Sequence, residues 1–176
     1  MNQVSSLGGI AGNIDLGAGG TGSLQLQFAK LQLALSEMSK TGAMNYIDQI
    51  QKSQEEQKQV AHLLQQARQL QADAAAGNGN YAKDKNASLM PKEMEDYMKA
   101  NNLAWDKTGN DNIHNKDEWN VAIQSLQAHL DSLGTDTQQK MVFVQDFMGQ
   151  YNSYLQGANS AIQQSNQTLS QLAQVR

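Results

Sequence analysis

The feature that most constrains this chain lies in its last third. Met141, Val144, Met148, Tyr151, Leu155, Ala158, Ile162, Ser165, Leu169 and Leu172 follow one another at alternating intervals of three and four residues. That is the repeat of a helix that lays one narrow apolar ridge against other helices. Leu126, Leu130 and Leu133 carry the ridge upstream. From Leu133 through Thr137 to Met141 the intervals are four and four, which predicts a local change of supercoil beside Gly134. Asn115 with Glu118 three residues later reads as a capping-box start. At about 1.5 Å per residue, a helix from Lys116 to the end is on the order of 90 Å long, more than a compact domain of this size needs. Such a ridge is stabilised only when other helices cover it.

The nearest cover is within the chain. Behind Ser23, a plausible N-cap, Leu24, Phe28, Leu31, Leu35 and Met38 are spaced along one side of a helix. Gly42 predicts an interruption, after which Ile50, Val60, Leu64, Ala67 and Ala74 keep a seven-residue rhythm, with Ser53, Gln57 and Gln71 filling the seam. Residues 52–59, KSQEEQKQ, are polar on every side and read as a solvated face.

The expected fold is all-α: a long antiparallel helical hairpin, a coiled coil pairing residues 24–75 with 120–172. It carries a small inserted helical and loop subdomain at its far tip and a disordered N-terminus. The parts are a flexible Gly/Ser-rich N-terminal export segment (1–22), a first helical arm (23–76), a connector and small insert (77–118) and the long C-terminal coiled-coil helix (119–176). Within the insert, Pro91 suits the first position of a short helix reaching about Asn101. Trp105 and Trp119 are expected to pack with Met94, Tyr97, Met98, Leu103 and Ile113 into a satellite core. Met38, Met44, Met94, Met98, Met141 and Met148 read as flexible core fillers.

Composition argues against most chemistry. With 13 Lys and Arg against 17 Asp and Glu, the net charge of −4 gives no reason to expect nucleic acid or an anionic membrane as partner. There is no cysteine, and His62, His114 and His129 are scattered and read as surface residues, so no catalytic residue, cofactor site or metal site is expected. Asp106, Thr108, Asn110, Asn112 and Asp117 fit positions of a calcium loop. Asp111 stands where that loop wants glycine, however, and the acid at its end is Asp rather than Glu, which favours a polar turn leading into a helix cap. Gly17 to Ser23 lacks the lysine of a phosphate loop. No basic start, apolar run or spanning stretch marks a general secretory signal or a membrane helix.

What remains is assembly. The expected interface is Met141, Val144, Met148, Tyr151, Leu155, Ala158, Ile162, Leu169 and Leu172 on the C-terminal helix, with Phe28, Leu31 and Leu35 on the first arm. A second apolar edge, Val142, Phe143, Phe147 and Tyr154 with Leu26, Leu33 and Tyr46, either widens the hairpin's own core or meets a further neighbour.

Three stretches carry a family resemblance: MPKEMEDYMKANNL, NIHNKDEWNVAIQSLQAHLDS and MVFVQDFMGQYNSYLQGANSAIQQSNQTLSQL. In that order they resemble the secreted extracellular filament proteins (EspA/SseB-like) and hydrophilic needle-tip translocators of bacterial type III secretion systems, over roughly residues 24–172. The resemblance implies export in an unfolded state through an uncleaved N-terminal address, and a location outside the cell or on its surface. It implies as partners further copies of the chain, needle or translocon proteins, a dedicated cytosolic chaperone and the host cell surface. The alternative, from another class, is a cytosolic export chaperone or gatekeeper-type helical binding protein.

Overall fold

The computed structural model describes residues 24–174, apart from the Asn110 side chain. The Gly/Ser-rich segment and the Ser23 cap lie outside the described residues. The elements are α1 (Leu24–Ala75), β1 (Ala87–Leu89), α2 (Lys92–Ala100), a 3-10 turn (Thr108–Asn110), β2 (Ile113–Asn115) and α3 (Lys116–Gln174). The fold is an all-α helical hairpin in which the long α1 and α3 pack against each other. Two compact units divide the chain: residues 24–48 with 141–174, and Gln49–Lys140.

The second unit holds the large-residue core. Val60, Leu63, Leu64 and Ala67 of α1, Met90, Met94 and Met98 of the insert, and Trp119, Ala122 and Leu126 of α3 form one buried cluster. Tyr97, Leu103 and Trp105 are packed against it, so the tryptophans join the main core rather than a satellite. Nor does the insert project at a far tip. It folds back along the helices, where the Tyr97 hydroxyl lies 3.1 Å from Glu56 Oε1 on α1 and 3.1 Å from His129 Nε2 on α3. Burial of Met94 and Met98 drives this, because those two side chains form the inner face of an otherwise polar helix.

Polar pairs mark the antiparallel sense. Gln71 Nε2 donates to Asn120 Oδ1 at 2.8 Å, while nearer the start of α1 Ser53 meets Thr137 at 2.8 Å. The α1 seam of this unit runs Ile50, Ser53, Gln57, Val60, Leu64, Ala67, Gln71 and Ala74, as the spacing predicts. On α3 the expected break does not occur. The half-buried positions Leu130 and Leu133 lead through buried Thr137 to Lys140, three residues on, and Met141 lies outside the seam. Lys140 is accommodated by its ion pair with Asp136 one turn earlier.

Two short strands, unanticipated, close the insert. β1 and β2 pair antiparallel, with Ser88 opposite His114. Asn115 then caps α3 as a complete capping box: its Oδ1 accepts from the N–H of Asp117 (2.8 Å) and Glu118 (3.1 Å), and Glu118 Oε2 accepts from the Asn115 N–H at 2.8 Å. α2 starts one residue later than expected, with Pro91 as its extended N-cap.

In the first unit α1 continues through Gly42 without interruption. The glycine is needed for packing: a Cβ there would sit 2.9 Å from the Phe147 ring. Tyr46 stacks on Phe143 and Phe147 at centroid distances of 5.2 and 5.9 Å. Further along, a Cβ on Gly157 would lie 3.1 Å from the Gln32 side chain, so the antiparallel pairing holds here too.

Candidate assembly interface

Every buried residue described in the first unit is alanine or serine: Ala29, Ser36, Ser39 and Ala43 on α1, and Ala158, Ala161 and Ser165 on α3. Small side chains let two helices approach closely, but they remove little apolar surface from water. The α1 seam is therefore shifted by one position from the expected ridge. Leu24 and Phe28 are exposed at 79% and 48%, while Leu31, Leu35 and Met38 are half-buried at its flank.

The same displacement splits the ridge of α3. Val144, Tyr151 and Leu155 are half-buried and Ala158 is buried, whereas Met141, Met148, Ile162, Leu169 and Leu172 are exposed. Phe147 and Tyr154 from the second edge are half-buried, and Val142 and Phe143 remain exposed. Each expected set is thus divided between residues that the hairpin covers and residues that it leaves exposed. The cause is geometric: a seam through Val144, Phe147, Tyr151, Tyr154, Ala158 and Ala161 leaves Met141, Met148, Ile162 and Leu169, in register at multiples of seven, on its outer shoulder.

Of the fifteen exposed large hydrophobic residues described, thirteen belong to this unit; only Leu89 and Val121 belong to the other. A groove of about 620 Å³ opens at its end, lined by Leu24, Phe28, Leu31, Gly157, Ala161 and Gln164 among others. Charge is sparse. Residues 141–174 carry Asp146 alone, and residues 24–48 carry Lys30 and Lys40 against Glu37 and Asp48. Such a surface neither repels nor steers a second copy of itself.

The polar residues singled out in the sequence take local roles. Asp106 Oδ1 accepts from the Thr108 N–H at 2.7 Å and Asp111 Oδ1 from the Ile113 N–H at 3.1 Å, while Asn115 serves the cap. The Thr108 hydroxyl, and then its N–H, hold the Asp106 carboxyl below its usual range. The first acid of the calcium template, Asp106, is thus engaged by a local turn, and Gly109, with φ of 81°, makes the bend that follows. No group of three or more His, Cys, Asp or Glu is arranged to hold a metal among the described residues. Of the histidines, only His62 is a surface residue. His129 is half-buried, with Nε2 at 3.6 Å from Glu56, and His114 is 2% exposed. Sequence spacing missed both because their partners arrive from other elements. No described helix is long and apolar enough to cross a membrane.

Comparison with protein-family models, with curated proteins and with solved structures returns no match.

Proposed function

We propose that this chain is a structural, non-enzymatic protein that self-associates through the first unit, as a secreted component of a bacterial type III secretion apparatus. The observation that carries the assembly reading is the row Met141, Met148, Ile162 and Leu169, exposed along a helix whose own partner packs beside it through alanine and serine. Covering a large aliphatic side chain is worth about 1.5–3 kcal/mol, so the row favours further helices strongly, and its lack of charge lets a second copy approach without repulsion. The secretion reading rests on the three stretches of residues that resemble extracellular filament and needle-tip proteins. In this role the helices polymerise or dock at a needle end, and the insert of the second unit faces solvent or the host cell.

Two measurements test the two parts. Electron microscopy of the purified chain at rising concentration is expected to show ordered oligomers or filaments; a monomer at every concentration contradicts assembly. Immunoblotting of culture supernatant and cytosol under secretion-inducing conditions is expected to find the chain outside. Retention in the cytosol alone contradicts secretion and favours the chaperone or gatekeeper alternative.

A further inference from the structure

His114 occupies the middle of β2, opposite Ser88 of β1, and both side chains are buried, at 2% and 0% exposed. Ser88 Oγ donates to the Leu70 carbonyl of α1 at 3.0 Å, so the inner face of the strand pair lies against the helices. The His114 ring meets Trp119 of α3 edge-on, with centroids 5.2 Å apart. His114 Nε2 and Trp119 Nε1 are both buried with no hydrogen-bond partner among the described residues.

The surroundings hold little that would support a cation there. From β1 comes the uncharged Ser88, and α3 contributes Trp119, itself a member of the buried apolar cluster. Glu118 on α3, and Asp106 and Asp111 in the loop before β2, act on the ring only through their charge. Their attraction is outweighed by loss of water, and the imidazole titrates below its ordinary value of 6.5.

We propose that His114 is an acid-sensitive latch: neutral, it lets the strand pair close over the helices; protonated, it carries a buried charge with an unpaired Nε2–H and drives the insert open. Opening breaks the bond from the Met90 N–H to the Asn112 carbonyl, 2.7 Å long, and uncovers Met94 and Met98. The sign follows from linkage. Between pH 6.5 and the lower folded value the open form binds the proton and the closed form does not, so closure is fully stable above pH 6.5 and weakens as pH falls. Glu95 and Asp106, whose carboxyls are also held low, act in a separate window, below their ordinary values of 4.5 and 3.8. The latch is independent of whether the chain assembles.

The test is amide hydrogen exchange on the full chain, read as the protection factor of the Met90 N–H at pH 7 and pH 5, in the wild type and in His114→Gln. Protection is expected to fall between pH 7 and pH 5 in the wild type, by up to about tenfold for each unit that separates the two titrations, and to stay level in the variant. An equal fall in both, or none in the wild type, overturns the proposal. Should the variant fail to fold, the wild-type His114 imidazole is titrated by NMR. Titration at or above the ordinary value, with Met90 protection unchanged, overturns it equally.

Discussion

Thr137 Oγ1 lies 2.8 Å from Ser53 Oγ, and the two hydroxyls form a buried polar layer in the seam between α1 and α3. Thr137 is its hub. Its single hydrogen goes to the Leu133 carbonyl at 2.8 Å, so its oxygen accepts from Ser53 and, at 2.8 Å, from Gln57 Nε2. A layer of this kind satisfies itself only when α1 and α3 are in this register, as a buried polar pair does in coiled coils.

The hub predicts an asymmetry. Thr137→Val strands the buried Ser53 hydroxyl and costs about 1–3 kcal/mol, whereas Ser53→Ala leaves Thr137 with two partners and costs about 1 kcal/mol or less. Adding Ser53→Ala to Thr137→Val is expected to recover part of the loss. Urea unfolding of the three variants in a double-mutant cycle measures this; equal, additive losses would remove the hub.

Tyr97 ties the insert to both long helices, and Tyr97→Phe is expected to loosen α2 at a cost of about 1–3 kcal/mol. Burial, and then the hydrogen bond to Glu56, push the Tyr97 phenol well above its ordinary value of 10. The folded state therefore keeps its proton after the unfolded state has lost it, and stability falls as pH rises beyond 10. Thermal unfolding between pH 8 and 11 should show an alkaline decline that is reduced in Tyr97→Phe. An identical decline in both would contradict the assignment.

Two helical glycines should respond oppositely to alanine. At Gly134 a Cβ meets nothing within 4 Å, so Gly134→Ala is expected to stabilise by about 0.5–1 kcal/mol through backbone entropy. At Gly42 the added carbon runs into Phe147, whose ring is held by Tyr46, and the strain of about 1–3 kcal/mol outweighs the same entropic gain. Chemical denaturation of the two variants gives the signs directly.

The long C-terminal helix, its Asn115–Glu118 cap and the α1 seam from Ile50 to Ala74 were legible because each is written in local spacing. The seam of the first unit was not. Leu24, Phe28, Leu31, Leu35 and Met38 outweigh Ala29, Ser36, Ser39 and Ala43 in any count of apolarity, yet the small residues are the ones that let the helices touch. The same bias shifted the reading on α3 from Lys140 and Phe147 to Met141 and Met148, and with it the expected break near Gly134. Met38, Met44, Met141 and Met148 looked like core for the same reason, although among the described methionines only Met90, Met94 and Met98 are buried. The strands were too short to show alternation, so neither the burial of His114 nor the fold-back of the insert left a local signal.

The exposed row on α3 is the centre of the account, and sedimentation equilibrium of the full chain tests it most directly. Met148→Asp and Ile162→Asp are compared with Val121→Asp, which places the same charge on an exposed residue of the second unit. The expected result is concentration-dependent association for the wild type and Val121→Asp, and a monomer for the two row variants, with helical content unchanged throughout. Undiminished association of Met148→Asp and Ile162→Asp would contradict assembly through this row.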